Sequence, residues 1–209
     1  MINKNEKIIT IALAIVISLA AVTIIYVNLP QKDNLSGQNN IATETPSNNE
    51  ETTLLIVSFE GEQKNYTLSD LEQLEEYSGN GSYIKTKLLP DTVIIKGPYN
   101  FTGVKVSTLL DDFDNLPENY NITVTASDGW SKEFTKDNVN GVIDVYNETG
   151  EIIGDSSATM VLAYKENGEY LTNDTGGPLR IVFVGDNVIT ASNLWVKMVV
   201  SIEITEVEV

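Results

Sequence analysis

Ile8 to Val27 is an unbroken run of 20 residues without a charge, IITIALAIVISLAAVTIIYV. As a helix it rises about 30 Å, the thickness of the hydrocarbon core of a bilayer. Lys4 and Lys7 precede it, and basic residues are retained on the cytoplasmic side of a spanning segment. The sequence therefore predicts a cytoplasmic N-terminus and one transmembrane anchor over residues 1–28. Everything downstream is then expected outside, on a single-pass protein of the cell membrane. Tyr26 falls near the outer interface, where an amphipathic ring is favoured. Ser18-Leu19-Ala20 has the small residues of a signal-peptide cleavage site, but the apolar run continues to Val27. That is longer than the apolar region of a usual signal peptide, so the expectation is an uncleaved anchor.

Composition changes sharply after the apolar run. Residues 29–51, LPQKDNLSGQNNIATETPSNNEE, are polar and nearly devoid of apolar side chains. Such a stretch cannot bury enough surface to fold and reads as a flexible tether. Residues 52–209 remain, the size of one ordinary domain with a core of its own.

Two missing residue types exclude whole classes of chemistry. The chain has no Cys and no His. It can form no disulfide and supply no thiolate to a metal, and serine–histidine and cysteine–histidine mechanisms are ruled out. The net charge is −17; residues 1–28 hold only Lys4, Glu6 and Lys7, leaving 11 basic and 29 acidic residues, or −18, beyond them. So anionic a surface repels phosphate backbones, and nucleic acid is not an expected partner.

Asn-x-Ser/Thr triplets begin at Asn34, Asn65, Asn80, Asn100, Asn121, Asn147 and Asn173. This exceeds what an Asn- and Thr-rich composition gives by chance and fits an exported glycoprotein. Asn121 opens the apolar strand NITVTAS and is expected to be too constrained for modification. The candidates are the other six, with the tether site Asn34 and the presumed turn sites Asn80 and Asn147 foremost.

Within the domain, Thr53–Phe59 reads as a strand and residues 64–68 as a second, shorter one. Ser69 and Glu72 have capping-box spacing and open a helix, SDLEQLEEY. Residues 82–88 and 92–96 are strand candidates about a Pro90 turn, with Val93-Ile94-Ile95 expected to be buried. Residues 104–113 form a second helix, with Val106, Leu109, Leu110 and Phe113 at helical spacing. Residues 121–127 alternate, putting Ile122, Val124 and Ala126 on one face. Asp128-Gly129 and Asn167-Gly168 are turns. Residues 159–164 and 179–184 are buried strands, and a long strand runs from Leu194 to the end. The class is β-rich α+β with two short helices in the first half.

An ordered set of motifs fills the second half: Gly103-Val104 ahead of a helix, Ser127-Asp128-Gly129-Trp130, Val161-Leu162-Ala163-Tyr164, Asn167-Gly168, Gly177-Pro178-Leu179-Arg180, then Lys197 and Ile202-Glu203-Ile204. In this order they resemble the oxidoreductase molybdopterin-binding domain of the sulfite oxidase family, from about Gly97 to Ile204. The resemblance implies that family's fold and places Arg180 and Lys197 near positions that serve the pterin. An Arg can grip a phosphate bidentately and a Lys can add a point charge. Both also have a plainer reading as ordinary charges at strand ends.

The departures from that family are chemical. It holds molybdenum on a cysteine thiolate upstream of the Gly-Val helix, where this chain has Thr92-Val93-Ile94-Ile95-Lys96-Gly97. It uses His and Arg against the cofactor phosphate, whereas here Arg180 is the single Arg of the matched region. Met198 stands where a Trp usually follows the Lys. A metal site needs its ligands and not merely the fold around them, so molybdopterin is implied by resemblance alone and no cofactor is expected.

Asp111, Asp112 and Asp114 lack the Gly and Glu of a calcium loop and read as a solvated helix end. Glu203, Glu206 and Glu208 read as the exposed face of an edge strand. Three functions follow. The chain is a non-catalytic surface-displayed module binding a protein or a small anion, an adhesive or structural envelope glycoprotein, or a molybdopterin-dependent oxidoreductase subunit completed by a partner. The missing Cys and His lean against an enzyme.

Overall fold

The computed structural model describes residues 51–86 and 93–207. The expected anchor, the tether up to residue 50 with Asn34, the Pro90 turn and Glu208 lie outside them. No helix among the described residues is long and apolar enough to cross a membrane.

The elements follow the chain as β1 (Leu55–Phe59), β2 (Glu62–Tyr66), α1 (Leu68–Gln73), β3 (Glu76–Thr86), β4 (Val93–Lys105), α2 (Val106–Leu110), β5 (Tyr120–Ala126), β6 (Ser131–Thr135), α3 (Lys136–Val139), β7 (Val142–Tyr146), β8 (Ile152–Ser157), β9 (Thr159–Glu166), β10 (Glu169–Tyr170), β11 (Arg180–Val184), β12 (Ile189–Ala191) and β13 (Val199–Glu206). Single 3-10 turns cover Asn173–Thr175 and Ser192–Leu194.

One sheet has the order β2-β1-β13-β5-β6, with β1 and β13 parallel and the other pairs antiparallel. A second runs β10-β9-β4-β3-β12, with β11 also on β9. A separate hairpin pairs β7 with β8. The second sheet curls until β11 meets β3, where the Gly185 N–H donates to the Asn80 carbonyl at 2.9 Å. Glycine permits this approach: a Cβ on Gly81 would lie 2.7 Å from the Phe183 carbonyl oxygen.

Alternation built the strands as expected. Ile122, Val124 and Ala126 are buried from β5, and every residue of β11 is buried. The Asp128 carboxylate accepts the Trp130 N–H at 3.0 Å, and Gly129 takes φ 86°. Val106, Leu109, Leu110 and Phe113 all enter the core.

Several boundaries differ from expectation. Helix α1 is capped by Thr67 with Asp70, not by Ser69 with Glu72. The Asp70 N–H donates to the Thr67 hydroxyl oxygen at 3.2 Å, and the Thr67 N–H donates to Asp70 Oδ2 at 2.8 Å. Ser69 donates instead to Glu51. The helix stops at Gln73 because Glu76 and Tyr77 pair with Val104 and Gly103. Those pairings also delay the start of α2 to Val106. A third helix, one turn long, begins at Lys136 and is capped by Thr135, whose hydroxyl accepts the Asn138 N–H; four residues show no periodicity to read. The last strand starts at Val199, because Leu194 closes a 3-10 turn and Met198 takes φ 51°.

Two burial expectations fail. Val93 and Ile94 are 41% and 38% exposed rather than buried, for the first residues of β4 lie at a sheet end. Strand β13 is not an edge: β1 and β5 flank it, so Glu203 projects from the outer face of a central strand and Glu206 is exposed at that strand's end. An apolar run and an alternating one both leave sheet position open, since pairing partners are chosen by distant segments.

Candidate functional site

Arg180 opens β11 and is the only arginine of the chain. It is not an ordinary charge at a strand end, since it is 4% exposed. Its guanidinium carbon lies 5.2 Å from the ring centre of Trp195 and 5.7 Å from those of Tyr83 and Phe101. Ring faces of this kind attract a cation by their quadrupoles. The rings brace one another: Tyr83 and Trp195 are 4.8 Å apart between centres, Phe101 and Trp195 5.4 Å. The Trp195 indole N–H donates to the Thr190 hydroxyl at 2.7 Å. These residues come from β3, β4, the turn after β12, and β11.

Burying a guanidinium requires a counter-charge. Glu166, at the end of β9, supplies it, with Oε2 3.4 Å from Arg180 Nη1. The contact is long, and Arg180 Nε is buried without any hydrogen-bond acceptor. The cation is therefore enclosed by rings, held by one distant carboxylate and incompletely satisfied.

Lys197 sits beside Arg180 on the backbone. The Ile181 N–H donates to the Val196 carbonyl and the Val199 N–H to the Leu179 carbonyl. The side chains part: Lys197 is exposed and packs its stem over Gly176, where a Cβ would come within 2.6 Å of Lys197 Cδ. Among the described residues Lys197 forms no ion pair. The two side chains do not converge, one being buried and the other exposed. One cavity of about 390 Å³ lies among Lys64, Tyr66, Asp70 and Asp112, and another of about 230 Å³ among Ile143, Asp144, Tyr146 and Leu194. Neither is lined by Arg180 or Lys197.

Around the site, Tyr164 has its hydroxyl pushed up to about 12, chiefly by burial and then by the charges of Glu76 and Glu72. Glu72 also accepts from the Tyr170 hydroxyl at 2.5 Å and faces Lys165 at 3.7 Å.

The donor set does not fit molybdopterin. There is no thiolate to give, and no group of three His, Cys, Asp or Glu side chains gathers among the described residues. The stretch that stands where the resemblance puts the thiolate presents the apolar Val93 and Ile94 at the surface. The one arginine is already committed to Glu166 and three rings.

Of the sequons, Asn65, Asn80, Asn100 and Asn173 are exposed, and Asn147 is half-buried. Asn80 is not a turn residue. It lies within β3 opposite Asn100, whose side-chain amide donates to it at 3.3 Å. Asn147 does lie in a turn, and its Oδ1 accepts from Thr149 and the Glu151 N–H.

The sequence reading found Arg180 but missed Glu166, Tyr83, Phe101 and Trp195. A lone arginine in an apolar strand signals that a carboxylate must be near. Which carboxylate depends on the pairing of Arg180 with Ala163 and of Phe101 with Glu166, which is non-local.

Residues 42–209 match the family described as oxidoreductase molybdopterin binding domain. Among solved structures, the chain is similar to the sulfane dehydrogenase SoxCD from Paracoccus pantotrophus, at 19% identity and a TM-score of 0.51. That similarity covers 74% of this chain and only 39% of the other. No curated protein matches the sequence.

Proposed function

We propose that this chain, which belongs to the oxidoreductase molybdopterin-binding domain family, is a non-catalytic binding module carried outside a cell membrane on an N-terminal anchor. One observation carries the reading. Arg180, the only arginine, is sealed among Tyr83, Phe101 and Trp195 and neutralised by Glu166. The position from which the family's chemistry would need a free cation has become packing. The absence of any thiol or imidazole supports the same reading. The 20-residue apolar run at Ile8–Val27 supports the anchor.

The test is the full chain produced in a cofactor-making host, extracted from membranes with detergent and purified. The expected result is retention in the membrane fraction, no molybdenum by elemental analysis and no pterin fluorescence after oxidation. Stoichiometric molybdenum would overturn the reading and favour a subunit completed by a partner's ligands. A glycoprotein role keeps specific support from the exposed Asn65, Asn80, Asn100 and Asn173. Intact mass of the same preparation reads that role directly, and the bare polypeptide mass would remove it.

A further inference from the structure

Among the described residues, the β7–β8 hairpin leaves one edge of β8 unpaired. Strand β8 pairs only with β7 among the described residues, so its other edge offers free backbone donors and acceptors. Natural edges of this kind are covered, charged or shortened. This one carries the most exposed large apolar side chains of the described residues, Ile152 at 56% and Ile153 at 65%. Val142 on β7 is also exposed, at 43%. Ile153 is the extra residue of a bulge, between the pairs Val145–Gly154 and Tyr146–Ile152. Gly154 follows at φ 129°, and a Cβ placed there would meet nothing within 4 Å. A glycine with open space at a sheet edge is where a second backbone can come close.

Charge decides what kind of second backbone. From Asp137 to Tyr164 the chain carries Asp137, Asp144, Glu148, Glu151 and Asp155 and no Lys or Arg. Asp144 and Asp155 are directly opposed across the hairpin. Like charges in that register weaken a strand pair, and neither joins an ion pair among the described residues. The hairpin thus holds an uncompensated negative pair next to exposed isoleucines. A second copy of this acidic chain would repeat the same charges against themselves.

We infer that β8 is a docking edge that takes an extended basic segment of a partner protein as an added strand. Main-chain ladder bonds supply the attachment and alternate side chains the selectivity. Lysines or arginines of the partner oppose Asp155 and reach over it toward Asp144, and its apolar residues cover Ile152 and Ile153. This rests on the reading of the domain as a binding module; the molybdenum analysis tests that reading independently of the edge.

The experiment uses the full chain in detergent at low ionic strength and a fluorescent probe peptide of alternating lysine and valine, followed by anisotropy. The expected result is saturable binding of that peptide and none of its glutamate–valine counterpart. Methylating alternate backbone nitrogens of the peptide, which removes ladder donors without touching the protein, should weaken binding about tenfold or more. Ile153→Asp and Asp155→Lys should each do the same, while Asp111→Asn, away from the hairpin, should leave it unchanged. Absence of binding would overturn the inference. So would binding indifferent to backbone methylation and to Ile153→Asp, which would be mere attraction to an acidic protein. A concentration-dependent dimer abolished by Ile153→Asp would overturn it too, by assigning the edge to a second copy.

Discussion

Arg180 is worth more as a test of packing than its charge suggests. Its Nε lacks an acceptor, and its one carboxylate partner is 3.4 Å away. Replacing a buried ion pair with apolar side chains of similar volume is often neutral or stabilising, and Glu166, left behind when Arg180 alone is replaced, is 22% exposed and can be solvated by water instead. Arg180→Met is therefore expected to unfold at an equal or higher urea midpoint. Arg180→Ala empties the ring-lined space and should cost about 2–4 kcal/mol. Glu166→Gln leaves the cation buried without its counter-charge. Breaking a well-buried pair costs about 3–5 kcal/mol, but Glu166 is 22% exposed and the contact long. A loss of about 1–2 kcal/mol is expected after that discount. Urea denaturation of the three variants checks the order. A strongly destabilised Arg180→Met would mean that the guanidinium is held by more than these contacts.

At the level of elements, two candidate caps compete within three residues. Thr67-Asp70 and Ser69-Glu72 have the same spacing. Thr67 wins because starting one turn at Leu68 buries Leu71, while residues from Glu76 onward are taken by β3. Asp70, accepting from the Thr67 N–H and hydroxyl, is held below the usual carboxylate range by those bonds. Thr67→Ala should cost about 1 kcal/mol, whereas Ser69→Ala, which loses only the exposed hydroxyl bond to Glu51, should be close to neutral. Circular dichroism melts of the pair distinguish the caps, and equal effects would contradict the assignment. The same paired strands explain why the second helix is shorter than its apolar spacing suggests. Val104 and Lys105 fit a helix locally but are held by Leu162 and Val161 of β9.

For the whole molecule, alkali is the sharper probe, because the chain has no His to titrate near neutrality. Tyr66, Tyr120 and Tyr164 are all raised, each first by burial. The nearby charges of Asp112 and Asp70, of Asp111, and of Glu76 and Glu72 add to it, as does the Tyr66 hydrogen bond to Asp112. A folded-state value above the usual value of about 10 means that the folded chain binds more protons there than the unfolded one. The stabilisation is complete below pH ~10 and falls as pH rises, for Tyr164 through about 12. Urea midpoints should be flat from about pH 7 to 9 and drop steeply above about 10. The share of phenolate absorbance owed to these three of the nine tyrosines should appear with unfolding rather than before it. Tyr164→Phe, which loses only a 3.5 Å contact to Glu76, should flatten part of the drop. A slope unchanged in that variant would place the linkage elsewhere.

How much was legible divides by range. The alternation of residues 121–127, the Asp128-Gly129 and Asn167-Gly168 turns and the buried strands at 159–164 and 179–184 are written in neighbouring residues. The chain alone therefore sets their type. The motif order carried the family, and the missing Cys and His bounded the chemistry, because a side chain that is not encoded cannot be supplied by folding. The one charged residue singled out in the core, Arg180, was also visible. Its surroundings were not. Glu166, Tyr83, Phe101 and Trp195 meet it through three separate strand pairings and a turn, and the pairing of distant strands is fixed by the burial of all of them together. For the same reason only the tertiary structure could make β13 a central strand, expose Val93 and Ile94, and leave one edge of β8 unpaired among the described residues.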